Sequence, residues 1–163
     1  MVKRTLAALG GALLCLSLPV GAAPNGFSCT LPAGWQALDL KHAPKTLRLL
    51  ASPAGNAAAT FSVQDVSSAL PPDRYVQHLL LTLKASAPQT RVLSRGAFVT
   101  ASGLHGSRAV FDEIAPGGSV HFVVCAFSGP GHRRLLVAGL WPAADTAKYD
   151  VAVSRSLKTF AVK

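Results

Sequence analysis

Acidic residues are scarce in this chain: seven Asp and Glu stand against 16 Lys and Arg in 163 residues. Glycoside-type chemistry needs two carboxyl groups held across a cleft. Asp112 and Glu113 are consecutive, so on a strand they point to opposite faces. Asp65, Asp73, Asp145 and Asp150 read as solvated or capping residues. A nucleophile elbow is missing as well. Ala101-Ser102-Gly103 and Phe127-Ser128-Gly129 lack the Gly-x-Ser-x-Gly spacing and fall in expected hairpins. Neither His-x-x-x-His nor His-x-His occurs, so there is no local metal pair. No Gly-Lys-Ser/Thr follows a glycine-rich loop, and Gly117-Gly118 and Gly129-Pro130-Gly131 read as hairpin turns. These absences argue against an enzyme, and they call for no cofactor.

Long apolar runs are also lacking, except at the start. Lys3 and Arg4, the apolar stretch Leu6–Val20 and the small residues Val20-Gly21-Ala22 have the three-part layout of a secretory leader. Cleavage after Ala22 gives a signal peptide over 1–22 and one domain over 23–163. A cut after Ala23 would leave Pro24 first, a poor outcome for a signal peptidase. The run falls short of the roughly 20 residues that span a bilayer, and an uncleaved anchor is the alternative. Neither Cys15 nor Cys29 has the preceding residues of a lipidation site. The expected mature protein is soluble, periplasmic or secreted, and has no transmembrane segment.

Of the three cysteines, the leader removes Cys15 and leaves Cys29 and Cys125. In an oxidising compartment an even pair suggests a disulfide. Two separate buried thiols acting as small hydrophobes are the other reading. Without a third cysteine, a cysteine-rich metal site is excluded. Leader removal also takes two positive charges, so 14 basic residues face seven acidic ones, a net charge of +7. The basic residues are scattered, and the aromatics near Arg91, Arg95, Arg108, Arg133 and Arg134 look like core, which argues against nucleic acid. Outside the cytoplasm, an envelope protein or an anionic cell-surface component is the expected partner.

The positive content is a pattern of strands. Phe27–Leu31, Trp35–Leu38, Thr46–Ser52 and Ala59–Val66 read as the first four. A helix is expected from Pro71-Pro72 to about Ala85, with Tyr75, Val76, Leu79, Leu80 and Leu83 on its apolar stripe. Arg91–Thr100 reads as a fifth strand, interrupted by Gly96. Leu104–Ile114, Ser119–Phe127 and His132–Trp141 then form an antiparallel meander, with turns centred on Gly117 and near Pro130. A last helix starts after Pro142 with Asp145 as N-cap, burying Tyr149, Val153, Leu157 and Phe160. Strands and helices in this order give an α+β fold, helices packed on a twisted antiparallel sheet. The middle meander strand is apolar on both faces, which calls for cover on both sides.

The opening Phe27-Ser28-Cys29-Thr30-Leu31-Pro32-Ala33-Gly34-Trp35 resembles the start of PsbP/DcrB-like domains. So does the Gly103-Leu104-His105-Gly106-Ser107-Arg108 step, and so does the closing Tyr149…Ser156-Leu157…Thr159-Phe160 helix. These exported domains share the fold of the Ran-binding protein Mog. The resemblance covers nearly all of the mature chain and rests on the order of weak motifs. It implies an α/β/α sandwich and a binding, assembly or envelope-associated role without catalysis. No family-wide catalytic motif exists to carry over. Many bacterial relatives are lipoproteins, and this leader departs from that pattern.

One candidate site follows from the meander. Its turns bring His105 roughly opposite Ser128 and near His132, at one sheet end with Arg133 and Arg134. A small cationic corner for an anion or metal is one reading, and ordinary exposed loop histidines are the other. Two functional readings result. One is a non-catalytic exported interaction or assembly domain of the envelope. The alternative is a carrier with an apolar pocket between sheet and helix, lined by Leu79, Leu80 and Phe122.

Overall fold

The computed structural model describes residues 26–163; the expected signal peptide, 1–22, lies outside the described residues. The meander is its organising element. Three long strands, β6 (His105–Ala115), β7 (Gly118–Ser128) and β8 (Arg133–Pro142), pair antiparallel in sequence order. Strands β2 (Trp35–Ala37), β3 (Leu47–Pro53), β4 (Thr60–Ser67) and β5 (Arg91–Val99) complete a seven-stranded sheet in the order β2-β3-β4-β8-β7-β6-β5. All six ladders are antiparallel. The β4–β8 pairing lets the last long strand join the N-terminal half of the sheet to the meander.

Helices cover the two faces. Helix α1 (Pro72–Ser86) buries Val76 and Leu80 against Ala109, Phe111, Val124 and Ala126. Helix α2 (Thr146–Lys158) buries Tyr149, Val153 and Leu157 on the opposite face, with Phe61, Val63, Cys125, Phe127, Val137 and Trp141. Alternation along β7 therefore sends Val123, Cys125 and Phe127 to one layer and Val124 and Ala126 to the other. The expected α+β sandwich, with β7 covered on both sides, is the observed fold. Two glycines mark where packing is closest. A methyl group at Gly139 of β8 would lie 2.7 Å from Val153 Cγ1 of α2. One at Gly106 of β6 would lie 2.5 Å from the Phe127 ring.

Several boundaries differ from expectation. The first strand, β1, is only Phe27–Ser28, and its partner is a C-terminal strand the sequence did not announce, β9 (Ala161–Val162). This pair stands apart from the main sheet, and Phe27 stacks on Phe160 at 5.5 Å between ring centroids. Asp145 occupies the N-cap position of α2 but makes no side-chain capping bond. A 3-10 turn, Ala143–Asp145, precedes the helix instead, and Thr146 Oγ1 donates to Ala143 O at 2.8 Å. Gly96 does not break β5; the irregularity lies between Val92 and Ser94, where a bulge shifts the register.

Candidate functional site

The sheet end where β3 and β8 begin and β4 finishes gathers most of the expected basic corner. Its centre is Asp65, a residue the sequence suggested was solvated. The carboxylate is 8% exposed and accepts bonds from Arg48 Nε at 3.0 Å and Nη2 at 2.7 Å. Arg133 Nη2 approaches the same oxygen at 2.6 Å. Two guanidinium groups thus share one carboxylate, and the three side chains together keep one net positive charge. Burial of a carboxylate demands such pairing.

Arg134, one residue on, points to the opposite face of the sheet. It is buried and spends its guanidinium on the backbone before α1, donating to Leu70 O at 2.6 Å and Arg133 O at 2.8 Å. A third, longer bond reaches Ala69 O at 3.5 Å. Arg134 therefore fixes a connection. His132 lies exposed in the turn before β8, its carbonyl accepting the Ser68 N–H at 2.9 Å. His105 opens β6 opposite Val99 and is exposed, with β7 between it and β8. Gly106 pairs with Phe127 and Ser128 with Arg134, so His105 stands at the same sheet end as Arg134 with β7 between them, while Arg133 turns to Asp65 on the other face. Among the described residues, no cluster of three or more His, Cys, Asp or Glu is arranged to hold a metal.

The sequence reading overlooked a different histidine. His121 on β7 is 5% exposed, and its Nδ1 sits 2.6 Å from Asp112 Oδ1 on β6. The imidazole lies 5.2 Å from the Trp141 ring. The β6–β7 turn explains the miss. The ladder closes at Ala115↔Gly118, so Asp112 pairs with His121. A turn centred on Gly117 would have paired Glu113 with His121 and hidden the contact. The pair has the carboxylate-imidazole arrangement that orients a general base. Its burial under Trp141 makes it a polar cross-strand tie.

The cysteines are a correction. Cys29 and Cys125 are free thiols in the structure, both buried in the core layer beneath α2. Burial pushes Cys29 up to about 11. It pushes Cys125 up to about 12, against smaller lowering effects of the Arg108 and Lys158 charges. Arg108 is the cross-strand neighbour of Cys125, and its Nη2 reaches Ser154 Oγ of α2 at 3.3 Å. Each thiol behaves as a small hydrophobe in a filled layer.

The surface carries the remaining features. A groove of about 300 Å³ runs between α1 and β5, lined by Gln77, Leu80, Leu81, Lys84, Val92 and Arg95. A second, of about 460 Å³, lies at the α1 C-terminus and includes Ile114 and Pro116. Leu81 and Ile114, which line these two grooves, are exposed large apolar side chains, as are Leu93 and Val99 on β5. Of the three residues expected to line a carrier pocket, Leu79 and Phe122 pack against the α1-side core, and only Leu80 borders a groove.

No family model and no curated protein matches the sequence. Solved structures do match. The PsbP protein CyanoP of Synechocystis sp. PCC 6803 aligns with a TM-score of 0.69 at 11% identity, covering 97% of this chain and 99% of that one. LpqN of Mycobacterium tuberculosis, involved in cell envelope biogenesis, gives 0.63 at 14% identity and 90% of both chains. The Saccharomyces cerevisiae Ran-binding protein Mog1p gives 0.59 at 10% identity, covering 89% of this chain and 93% of that one. The chain has the PsbP/Mog1-like fold. No helix among the described residues is long and apolar enough to cross a membrane.

Proposed function

We propose that this chain is an exported, non-catalytic interaction domain of the cell envelope, with a protein partner. The observation that carries the reading is the contrast between inside and outside. Both core layers are built from interlocked apolar side chains, whereas Leu81 stays exposed in the groove between α1 and β5 and Leu93 is exposed on β5. A carrier would reverse that contrast, with apolar surface lining an enclosed space. Exposed apolar patches rimmed by polar groups mark interaction surfaces. The charged residues of that groove are Lys84 and Arg95, which suits an acidic partner.

Export rests on the leader pattern of Lys3, Arg4 and Leu6–Val20. An envelope role agrees with LpqN, and a protein partner agrees with the Ran-binding protein Mog1p, both of which share the fold alone. A photo-crosslinking residue placed at Leu81 or Leu93 tests the reading in intact cells. The expected outcome is a discrete heavier species from these positions and none from Leu38 at the other sheet edge. A lipid adduct, or adducts equal at all three positions, would contradict it.

A further inference from the structure

We infer that the free edge of β5 is a strand-addition site for an extended acidic segment of a partner protein. The inference rests on the interaction-domain reading and specifies its site and ligand. Among the described residues, β5 is the last strand of the sheet and pairs only with β6. Thr100 N–H donates to Leu104 O at 3.0 Å, and Ser107 Oγ donates to Gly96 O at 3.4 Å, so the Gly96 carbonyl faces β6. Antiparallel ladders alternate between residues that bond the neighbour and residues that do not. The N–H and C=O groups of Arg95 and Ala97 therefore point away from the sheet.

The edge has defined ends. Lys158 Nζ takes the Val99 carbonyl at 2.7 Å, which closes one end. The bulge between Val92 and Ser94 closes the other. Between them the strand is almost fully exposed, with Ser94, Arg95, Gly96 and Ala97 all open to solvent. An unprotected edge of this kind is a template for another strand.

Charge selects the occupant. Alternate side chains of an added strand would fall on the α1 side of the sheet, beside Lys84, Arg95 and the apolar floor of Leu80, Leu81 and Val92. That groove contains two cations and no acid. The only charged side chains on β5 itself are Arg91 and Arg95. Pairing β5 with β5 of a second copy would bring only like charges together, which is destabilising. An acidic strand meets complementary charge along the same seam.

The test uses a short acetylated peptide of alternating threonine and glutamate, its lysine counterpart, and amide exchange read by NMR. The glutamate peptide is expected to slow exchange at Arg95 and Ala97, and the lysine peptide is expected to do nothing. K84E/R95E is expected to weaken binding about tenfold or more. Ala97→Pro removes an outward donor without touching the β5–β6 ladder, so it should abolish protection at Arg95 while the rest of the spectrum stays native. Binding without protection at these amides, equal binding of both peptides, or no binding at millimolar peptide would overturn the site. Anionic phosphatidylglycerol vesicles shifting the groove without edge protection would overturn it in favour of a lipid surface. A dimer in sedimentation that protects the same amides without peptide would overturn it in favour of a second copy. A crosslinked partner at Leu81 with no strand addition would leave the interaction-domain reading standing and remove only this inference.

Discussion

Burial dictates what the two thiols do. With Cys29 raised to about 11 and Cys125 to about 12, neither holds appreciable thiolate at neutral pH. A thiol reagent at pH 8 should label neither residue in the native protein and both in denaturant; fast native labelling would show the layer beneath α2 to be open. The folded thiols hold their protons above the ordinary thiol value of 9.0, so stability should fall as pH rises from about 9 towards 12. Replacing both cysteines with alanine should flatten that fall in urea midpoints. Asp65 supports a second expectation. Asp65→Ala leaves Arg48 and Arg133 facing one another and should cost about 3 kcal/mol, whereas Arg133→Ala at the exposed rim should cost below about 1 kcal/mol. Chemical denaturation distinguishes the two. Asp65 was illegible in the sequence because its partners come from β3 and β8, far apart in the chain. Arg134 misled for a related reason: neighbours on a strand face opposite ways, and its partners are backbone carbonyls with no sequence signature.

At the scale of elements, α2 is seated by the absence of a side chain at Gly139. Gly139→Ala should destabilise by about 1–3 kcal/mol through overpacking against Val153. Adding Val153→Ala should recover part of that loss relative to the sum of the single changes, as contacting residues are not additive. Equal additivity in a thermal-unfolding cycle would deny the close approach. The strands of the meander were readable because β-branched runs and Gly-Pro turns mark them plainly. Their register was less so. Centring the turn on Gly117 instead of midway between Pro116 and Gly117 shifts the register by one residue, enough to conceal the Asp112–His121 pair. The β1–β9 pair was hidden for another reason. A two-residue strand carries no periodicity, and Ala161–Val162 after a helix resembles any apolar tail.

For the whole molecule, the α+β sandwich could be read from the order of apolar patterns, since alternation and helical spacing are local signals. Function could not, because the candidate surface depends on which strand ends at the sheet edge. Nothing within Arg91–Val99 itself says that β5 is an edge strand; that follows from β8 pairing with β4 and closing the other side of the meander. The reading proposed above is of an exported domain with a filled interior that binds through its outside. Native mass spectrometry of the full-length gene product, purified from its own envelope fraction without refolding, tests it most directly. A protein that begins at Ala23, carries two free thiols and has no bound apolar molecule is the expected result. A co-purifying lipid-sized mass would contradict it and make this chain a carrier.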